Sequence, residues 1–473
     1  MMKNDFKIKD TIAAVSTPVG AGGIGIVRLS GPKALAIADI AFVSKSGRKP
    51  SAFKTYTVHY GHISKSGKST KKSPGGYFID EVLLTVMRKP HSYTREDIVE
   101  INCHGGIAAV GEIFERVVSL GARPAEPGEF TKRAFLNGRI DLAQAEAVSD
   151  IVNARTEASL KLALSQLEGE FSGRIRELRE RLLDILRDME ADIDFSDEHE
   201  IDKSSKGNIS KALTGTMNSL LSILNTGKEG MLLREGITCV ICGKPNVGKS
   251  SLLNALLKTN RAIVTHIPGT TRDIIEESIN IGGAAVKLVD TAGITESNDL
   301  VERRGIERTK QYLKNADMAL FVVDLSRPID KKDISIMKLL PLDKTILVGN
   351  KSDLRKKADI ADPGAQFGGK AVCISVFKKK GIRGLEKHIE RMIWQGKVRH
   401  GEHICLANAR HKKALENAVK AIRNVLPILK NSMPFELATV GVREAITDLG
   451  MITGETVDIN ILDRIFERFC IGK

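Results

Sequence analysis

Ile237-Thr-Cys-Val-Ile-Cys242, Gly243-Lys-Pro-Asn-Val-Gly248-Lys249-Ser250 and Ser251-Leu-Leu-Asn-Ala-Leu-Leu257 follow one another without a break. An apolar strand, a glycine-rich turn and a helix-forming run in that order are the context in which Gly-x4-Gly-Lys-Ser becomes a P-loop. The glycines let backbone N–H groups wrap phosphates at a helix N-terminus, so Asn246, Val247, Gly248, Lys249, Ser250 and Ser251 are phosphate-binding candidates. Lys249 is suited to the β and γ phosphates and Ser250 to Mg²⁺. Short apolar strands alternate with helical stretches from Gly236 to about Trp394, which predicts a parallel sheet covered on both faces.

Further motifs follow in order. Strand-like Val286 to Val289 ends in Asp290-Thr291-Ala292-Gly293, where the aspartate can hold Mg²⁺ through water and the glycine N–H can sense a γ-phosphate. Thr345 to Val348 leads into Asn350-Lys351-Ser352-Asp353. A carboxylate there accepts from guanine N1–H and the exocyclic amine, which adenine cannot supply, so the site should select GTP over ATP. Between them, Pro268-Gly269-Thr270-Thr271-Arg272-Asp273 supplies Thr271 to close over Mg²⁺. Ile294 stands where Ras-type enzymes place the glutamine that orients water, and an isoleucine cannot do so. Glu296, Asp299 and Glu302 are the nearest polar candidates. No arginine finger is evident, yet charge developing between the β and γ phosphates requires a cation; K⁺ held by the side-chain oxygen of Asn246 is the expected one.

The 473 residues are enough for about three domains, and 42% hydrophobic with 27% charged residues excludes wholesale disorder. Seventy-two Lys and Arg against 58 Asp and Glu leave a net charge of +14, which favours a polyanionic partner. Six scattered cysteines do not form a disulfide framework, so a reducing, cytoplasmic location is expected, and no apolar run is long enough to span a membrane. Residues 1–138 read as a mixed α/β domain, with the basic stretch 65–76 as a mobile hairpin loop. From 139 to 235 apolar residues recur at helical spacing, most clearly Phe171, Ile175, Leu178, Leu182, Ile185 and Met189. The α/β unit 236–396 is followed by a basic connector from Lys397 to His411. Helical periodicity then returns at Leu415 to Leu429 and Ile459 to Phe469, so 397–473 is expected to complete one helical domain into which the α/β unit is inserted. Gly20-Ala-Gly22-Gly-Ile-Gly25 matches the dinucleotide fingerprint, but a strand follows it, which makes it a structural loop. Cys239 and Cys242 read as packing residues and His104 as structural.

The P-loop at 243–250, Pro-Gly-Thr-Thr-Arg-Asp at 268–273 and the terminal Phe469-Cys-Ile-Gly-Lys473 resemble the MnmE (TrmE) family of tRNA-modification GTPases. Pro127-Gly-Glu-Phe130, Arg133 to Gly138, Asp141 to Glu146, Ile193 to Phe195, Leu232 to Gly236 and Ile452 to Glu455 extend the likeness over essentially the whole chain. The resemblance implies a homodimer joined through amino-terminal tetrahydrofolate-binding domains, with a Ras-like P-loop GTPase domain inserted in a helical domain. It implies an FAD-containing partner of the MnmG (GidA) family, in a heterotetramer or larger complex. Such proteins install an aminomethyl or carboxymethylaminomethyl group at carbon 5 of the wobble uridine of certain tRNAs, using a one-carbon unit of 5-formyltetrahydrofolate or a related folate. Arg28, Glu100, Arg139 and Lys473 match the folate-site positions. Glu302 matches the catalytic glutamate, beside Lys249 and Thr271. Thr265, Ile267 and Thr270 join Asn246 as K⁺ ligands, and His266 stands in that loop where aspartate is common. Ser375-Val376 replaces the usual Ser-Ala. The rival reading is a ribosome-assembly GTPase acting as a switch without modification chemistry; Asp353 disfavours a P-loop ATPase.

Overall fold

The computed structural model describes residues 10–18, 20–65, 78–194, 203–260, 277–290, 316–356, 358, 371–395, 405–431 and 435–473. The stretch 66–77 lies outside them. The amino-terminal unit runs β1 (Ile12–Val15), β2 (Gly22–Ser30), α1 (Ala34–Ala41), β3 (Phe42–Ser44), β4 (Thr57–Ser64), β5 (Phe78–Met87), β6 (Ile98–Gly105), α2 (Ile107–Ser119), β7 (Arg123–Pro124) and α3 (Glu129–Leu136). Its seven strands lie in the order β3-β4-β5-β6-β2-β1-β7, antiparallel except for β1 with β7. Alternation sets the two faces: Val27, Leu29, Val82, Leu84, Val86, Val99 and Ile101 pack under α1 and α2, while Arg28, Leu83 and Glu100 point the other way. Gly22 to Gly25, expected in a loop, instead begin β2, with a bulge against β6. A Cβ on Gly25 would lie 2.3 Å from Val110 Cγ2, so the glycine there serves packing of α2 on the sheet.

Five helices follow: α4 (Leu142–Asn153), α5 (Glu157–Glu168), α6 (Glu170–Asp194), α7 (Lys203–Asn225) and α8 (Gly227–Glu235). The second sheet comprises β8 (Ile237–Cys242), α9 (Lys249–Asn260), β9 (Glu277–Ile281), β10 (Ala284–Asp290), β11 (Met318–Asp324), α10 (Lys331–Met337), β12 (Thr345–Asn350), β13 (Ala371–Cys373) and α11 (Ile382–Trp394). Its order is β13-β12-β11-β8-β10-β9, parallel except for the edge strand β9. Gly243, Asp290, Asp324 and Asn350 fall at the carboxyl ends of neighbouring strands, where doubly wound sheets bind ligands. Cys239 and Cys242 are buried in β8, and burial pushes the Cys242 thiol up to about 12. No helix among the described residues is long and apolar enough to cross a membrane.

The chain ends in α12 (Ala409–Lys430), α13 (Phe435–Thr453) and α14 (Ile459–Phe466). Helices α6, α7, α12 and α13 form a four-helix bundle in which each packs on two others, and the six-residue stripe from Phe171 to Met189 is buried in its core. Helix α13 was not anticipated, because Gly441 and Gly450 interrupt its pattern; it still buries Ala438, Val442, Ala445 and Leu449. The last periodic stretch is shorter than expected: α14 stops at Phe466, and Phe469 folds back to lie 5.3 Å from its ring.

The expected connector ending at His411 is corrected by the structure, since Arg410 and His411 form the first turn of α12 and are held by Glu146 of α4. Arg410 Nε and Nη2 donate to Glu146 at 3.0 and 2.8 Å, and His411 Nε2 lies 2.7 Å from the same carboxylate, its ring stacked on Phe171. On the entry side, Arg234 Nε donates to Asp150 at 2.8 Å. Helix α4 therefore grips the chain just before β8 and just after the second sheet. Burial alone would raise the Glu146 pKa, but His411 and Arg410 outweigh it and hold the carboxyl well below the usual range. That contribution is present above the ordinary carboxylate pKa and is lost as pH falls below it. Burial depresses the His411 pKa although Glu146 opposes it, so its contribution fades as pH falls below the ordinary imidazole range, and acidification weakens the hub through both groups. Glu146→Ala should leave Arg410 unpaired inside the fold and cost about 3–5 kcal/mol in denaturant unfolding, with a flatter acid limb than the parent.

Candidate functional site

The turn from Gly243 to Ser250 sits at the carboxyl edge of the second sheet. Gly248 has φ +97, and a Cβ there would lie 2.3 Å from Asn350 Nδ2, so the close approach of the two motifs requires glycine. Asn350 Nδ2 donates to Val247 O at 2.9 Å, and Asn350 Oδ1 accepts from Val376 N at 3.2 Å. Lys351 Nζ donates to Asn246 O at 3.0 Å and pairs with Asp324 at 2.6 Å. Asn350 and Lys351 thus brace the P-loop from the neighbouring strand. Val376 serves that brace through its backbone N–H, which a valine provides as well as an alanine.

Asp353 receives the Ser375 hydroxyl at 2.5 Å, and this bond holds its carboxyl below the usual range. The backbone N–H of Ser352 donates to Ile374 O at 3.1 Å. An ionised carboxylate with one oxygen occupied by a serine still offers lone pairs to two donors in a plane. At the other end of the site Ser250 Oγ donates to Asp290 Oδ2 at 2.7 Å, which brings together the two groups expected near Mg²⁺. Lys249 Nζ donates to Lys244 O at 2.8 Å; burial lowers its pKa, with Asp290 opposing. Ser251 is exposed on the first turn of α9. Thr265, His266, Ile267, Pro268, Gly269, Thr270, Thr271, Thr291, Ala292, Gly293, Ile294 and Glu302 lie outside the described residues.

Two further residues support this site. Asp324 closes β11 directly beside Asn350 in register and anchors Lys351; its signal was an aspartate at the carboxyl end of an apolar strand. Lys244 within the P-loop pairs with Asp330 and Asp333 at 2.8 and 2.7 Å, tying the loop to the start of α10. Nothing in the spacing of those residues marks that pair.

A second polar cluster lies on the uncovered face of the first sheet. Arg28 and Glu100 stand opposite each other in β2 and β6 and pair at 2.7 Å. Arg28 Nη1 also donates to Gly472 O at 3.1 Å, and its guanidinium lies 5.6 Å from the Phe130 ring centroid. Phe130 N donates to Lys473 O at 3.2 Å and Gly128 N to Cys470 O at 3.3 Å. The carboxyl terminus of this chain is thus seated on its own amino-terminal unit. Gly472 has φ +91, and a Cβ would lie 2.7 Å from Val15 O, which explains the glycine in the terminal tetrapeptide. Arg139 donates to Ser92 O at 2.8 Å and lies 5.0 Å from the Tyr93 ring centroid. Burial raises the Tyr93 pKa, opposed by its hydrogen bond with Thr131 and by the charges of Arg139 and Arg28. His104 is exposed and pairs with Asp80 at 2.7 Å.

A P-loop sheet braced by a guanine-type motif, set into a helical bundle and joined to an α/β unit with a polar cluster of its own, defines a multidomain nucleotide-binding protein of the Ras-like class. Family profiles agree over nearly the whole length: "GTP-binding protein TrmE N-terminus" matches residues 11–139 and "MnmE helical domain" matches 142–470. The tRNA modification GTPase MnmE of Carboxydothermus hydrogenoformans is 47% identical over 98% of this chain and 100% of that one. The protein of the same name from Alkaliphilus metalliredigens is 45% identical over the same shares. A solved structure of Aquifex aeolicus Era bound to GDP.AlF4- is 31% identical, covering 39% of this chain and 66% of that one with a TM-score of 0.27. The chain belongs to the MnmE family.

Asp353→Asn replaces one acceptor by a donor. GTP affinity should fall at least about 100-fold, since hydrogen bonds to a charged group contribute about 1.5–3 kcal/mol each, and xanthosine triphosphate should become the better ligand. Parent-like GTP binding in a competition titration would remove Asp353 from guanine recognition.

Proposed function

We propose that this chain hydrolyses GTP and couples hydrolysis to modification of carbon 5 of the wobble uridine of certain tRNAs. One observation carries the nucleotide half of this reading: Asn350 and Lys351 hold the P-loop while Asp353, two residues on, is fixed by Ser375. Bound GTP would lie along α9's N-terminus, and Lys249 would release Lys244 O to meet its phosphates. The Ser250 hydroxyl and Asp290 carboxylate are hard oxygen donors suited to Mg²⁺, which neutralises developing phosphate charge when bound. Thr271 closing over that ion and Glu302 orienting the attacking water complete the proposed hydrolytic set. Asn246, exposed and with φ +64, is the proposed first ligand of an activating K⁺, joined by Thr265, Ile267 and Thr270.

The tRNA half follows from family membership and from the surplus of basic residues. Arg28, Arg139 and Lys473 offer cations suited to the glutamate carboxylates of a tetrahydrofolate such as the 5-formyl derivative, and Glu100 an acceptor suited to pterin donors. The exposed Ile24, Val58, Tyr60 and Leu83 share the face of Arg28 and Glu100, which supports pairing with a second copy of the chain there. An FAD-binding protein of the MnmG (GidA) type is the proposed partner in the modification.

Two measurements test the finer parts. GTP turnover in KCl should exceed that in NaCl at equal ionic strength, and Asn246→Ala should abolish the difference; equal rates for the parent would contradict the K⁺ site. In calorimetry, the intact chain should bind 5-formyltetrahydrofolate measurably more tightly than one lacking Cys470 to Lys473. Equal affinities would remove Lys473 from the folate site.

A further inference from the structure

We infer that the face of the four-helix bundle formed by α7 and α12 is a docking surface for the sugar-phosphate backbone of tRNA, an inference that rests on the tRNA reading above. Charge is divided unevenly around this bundle. Helix α12 carries six Lys and Arg with Glu416 as its only carboxylate, and the neighbouring α7 carries three lysines and no carboxylate at all. The opposite pair is acidic: α6 has eight carboxylates against five arginines, and α13 has three against one.

The two faces also differ in pairing. On α6 and α13 the arginines are neutralised locally, Arg174 and Arg181 by Glu177, Arg187 by Asp184, Arg179 by Glu455 and Arg443 by Glu190. Lys211, Lys413, Lys420, Arg423 and Lys430 are all exposed, and none of them has a carboxylate partner among the described residues. At 100° per residue the four basic side chains of α12 fall within an arc of about 100°, and from Lys413 to Lys430 the stripe is about 25 Å long. Lys420 and Arg423, three residues apart, repel one another in the free protein. Such a stripe gains by releasing counterions from a polyphosphate, and a nucleic acid offers phosphates over that length.

The rest of the face suits the same ligand. Besides Lys211, the described exposed positions of α7 are Gly207, Asn208, Ala212, Gly215, Asn218, Ser222 and Asn225, all short and uncharged, and four of them polar. Asn and Ser side chains are common donors to phosphate and sugar oxygens, and none of these positions opposes a negative ligand. Among the described residues α7 and α12 expose no aromatic side chain, so the face would position the RNA backbone without reading bases.

The test is fluorescence anisotropy of the full-length protein with a labelled, unmodified tRNA transcript over a series of KCl concentrations. It compares the parent with Lys413→Gln/Lys420→Gln/Arg423→Gln and with the corresponding triple Glu variant. All three positions are exposed and outside the nucleotide site, so folding and GTP hydrolysis without tRNA should match the parent. Affinity should fall roughly 10- to 100-fold for the Gln set and further for the Glu set, and the slope of log K against log salt should shrink by about two to three. Unchanged affinity and slope in both sets would overturn the proposal while leaving the tRNA reading standing; absence of tRNA binding by the parent would overturn both. Variants that keep tRNA binding but lose binding to poly-glutamate would assign the face to an acidic protein and refute the assignment to RNA.

Discussion

The carboxylate of Glu146 is the point on which the architecture turns. An insertion of a whole α/β unit into a helical domain obliges the chain to leave and re-enter at neighbouring places, and both crossings must be fixed for the two halves to act as one body. Helix α4 does this with two acidic residues one turn apart, Asp150 on Arg234 before β8 and Glu146 on Arg410 and His411 after the second sheet. Arg410 extends the hold to the end of α13 by donating to Ile452 O at 3.2 Å. Truncating one partner in so buried a set costs far more than forming the set contributes, which makes the arrangement specific more than it makes it strong.

The same short stretch carries contacts to the first unit, the second sheet and the helical bundle. Arg139 lies beside Tyr93 in the first unit, Asp141 caps α4, Glu146 and Asp150 hold the crossings, and Arg155 Nη1 donates to Ser278 Oγ of β9 at 2.8 Å. Residues 139–155 therefore touch Tyr93 of the first unit at one end and the edge strand β9 of the second sheet at the other. The carboxyl terminus closes a second loop of contacts, since α14 leads Phe466 and Phe469 onto Leu142 and Ala145 of α4 before Gly472 reaches Arg28. The P-loop end of the second sheet and the Arg28–Glu100 cluster are thus mounted on one continuous frame of packed side chains.

Legibility from sequence followed how local the determining physics is. The strand, turn and helix from Ile237 to Leu257 were readable because each step is set by neighbouring residues. So was the stripe on α6, whose steps of three and four are a property of the helix alone. The pairing of Arg28 with Glu100 joins residues that only sheet register brings together; family resemblance names both positions but not their pairing. Arg410 and His411 looked like a basic connector because their partner lies 264 and 265 positions away, in α4. Helix α13 was hidden by glycines that a packed bundle tolerates, and Gly22 to Gly25 were assigned to a loop because no local signal shows that Val110 needs the space.

We propose that a GTP-hydrolysing sheet and the amino-terminal Arg28–Glu100 cluster serve one chemistry on tRNA. The most direct measurement is nucleoside analysis of tRNA from cells lacking this chain, with and without the chain restored. The account predicts loss of the carbon-5 aminomethyl-type group from wobble uridines without it, return with the parent chain, and no return with a chain that cannot hydrolyse GTP. Unchanged wobble uridines in the cells lacking the chain would contradict it.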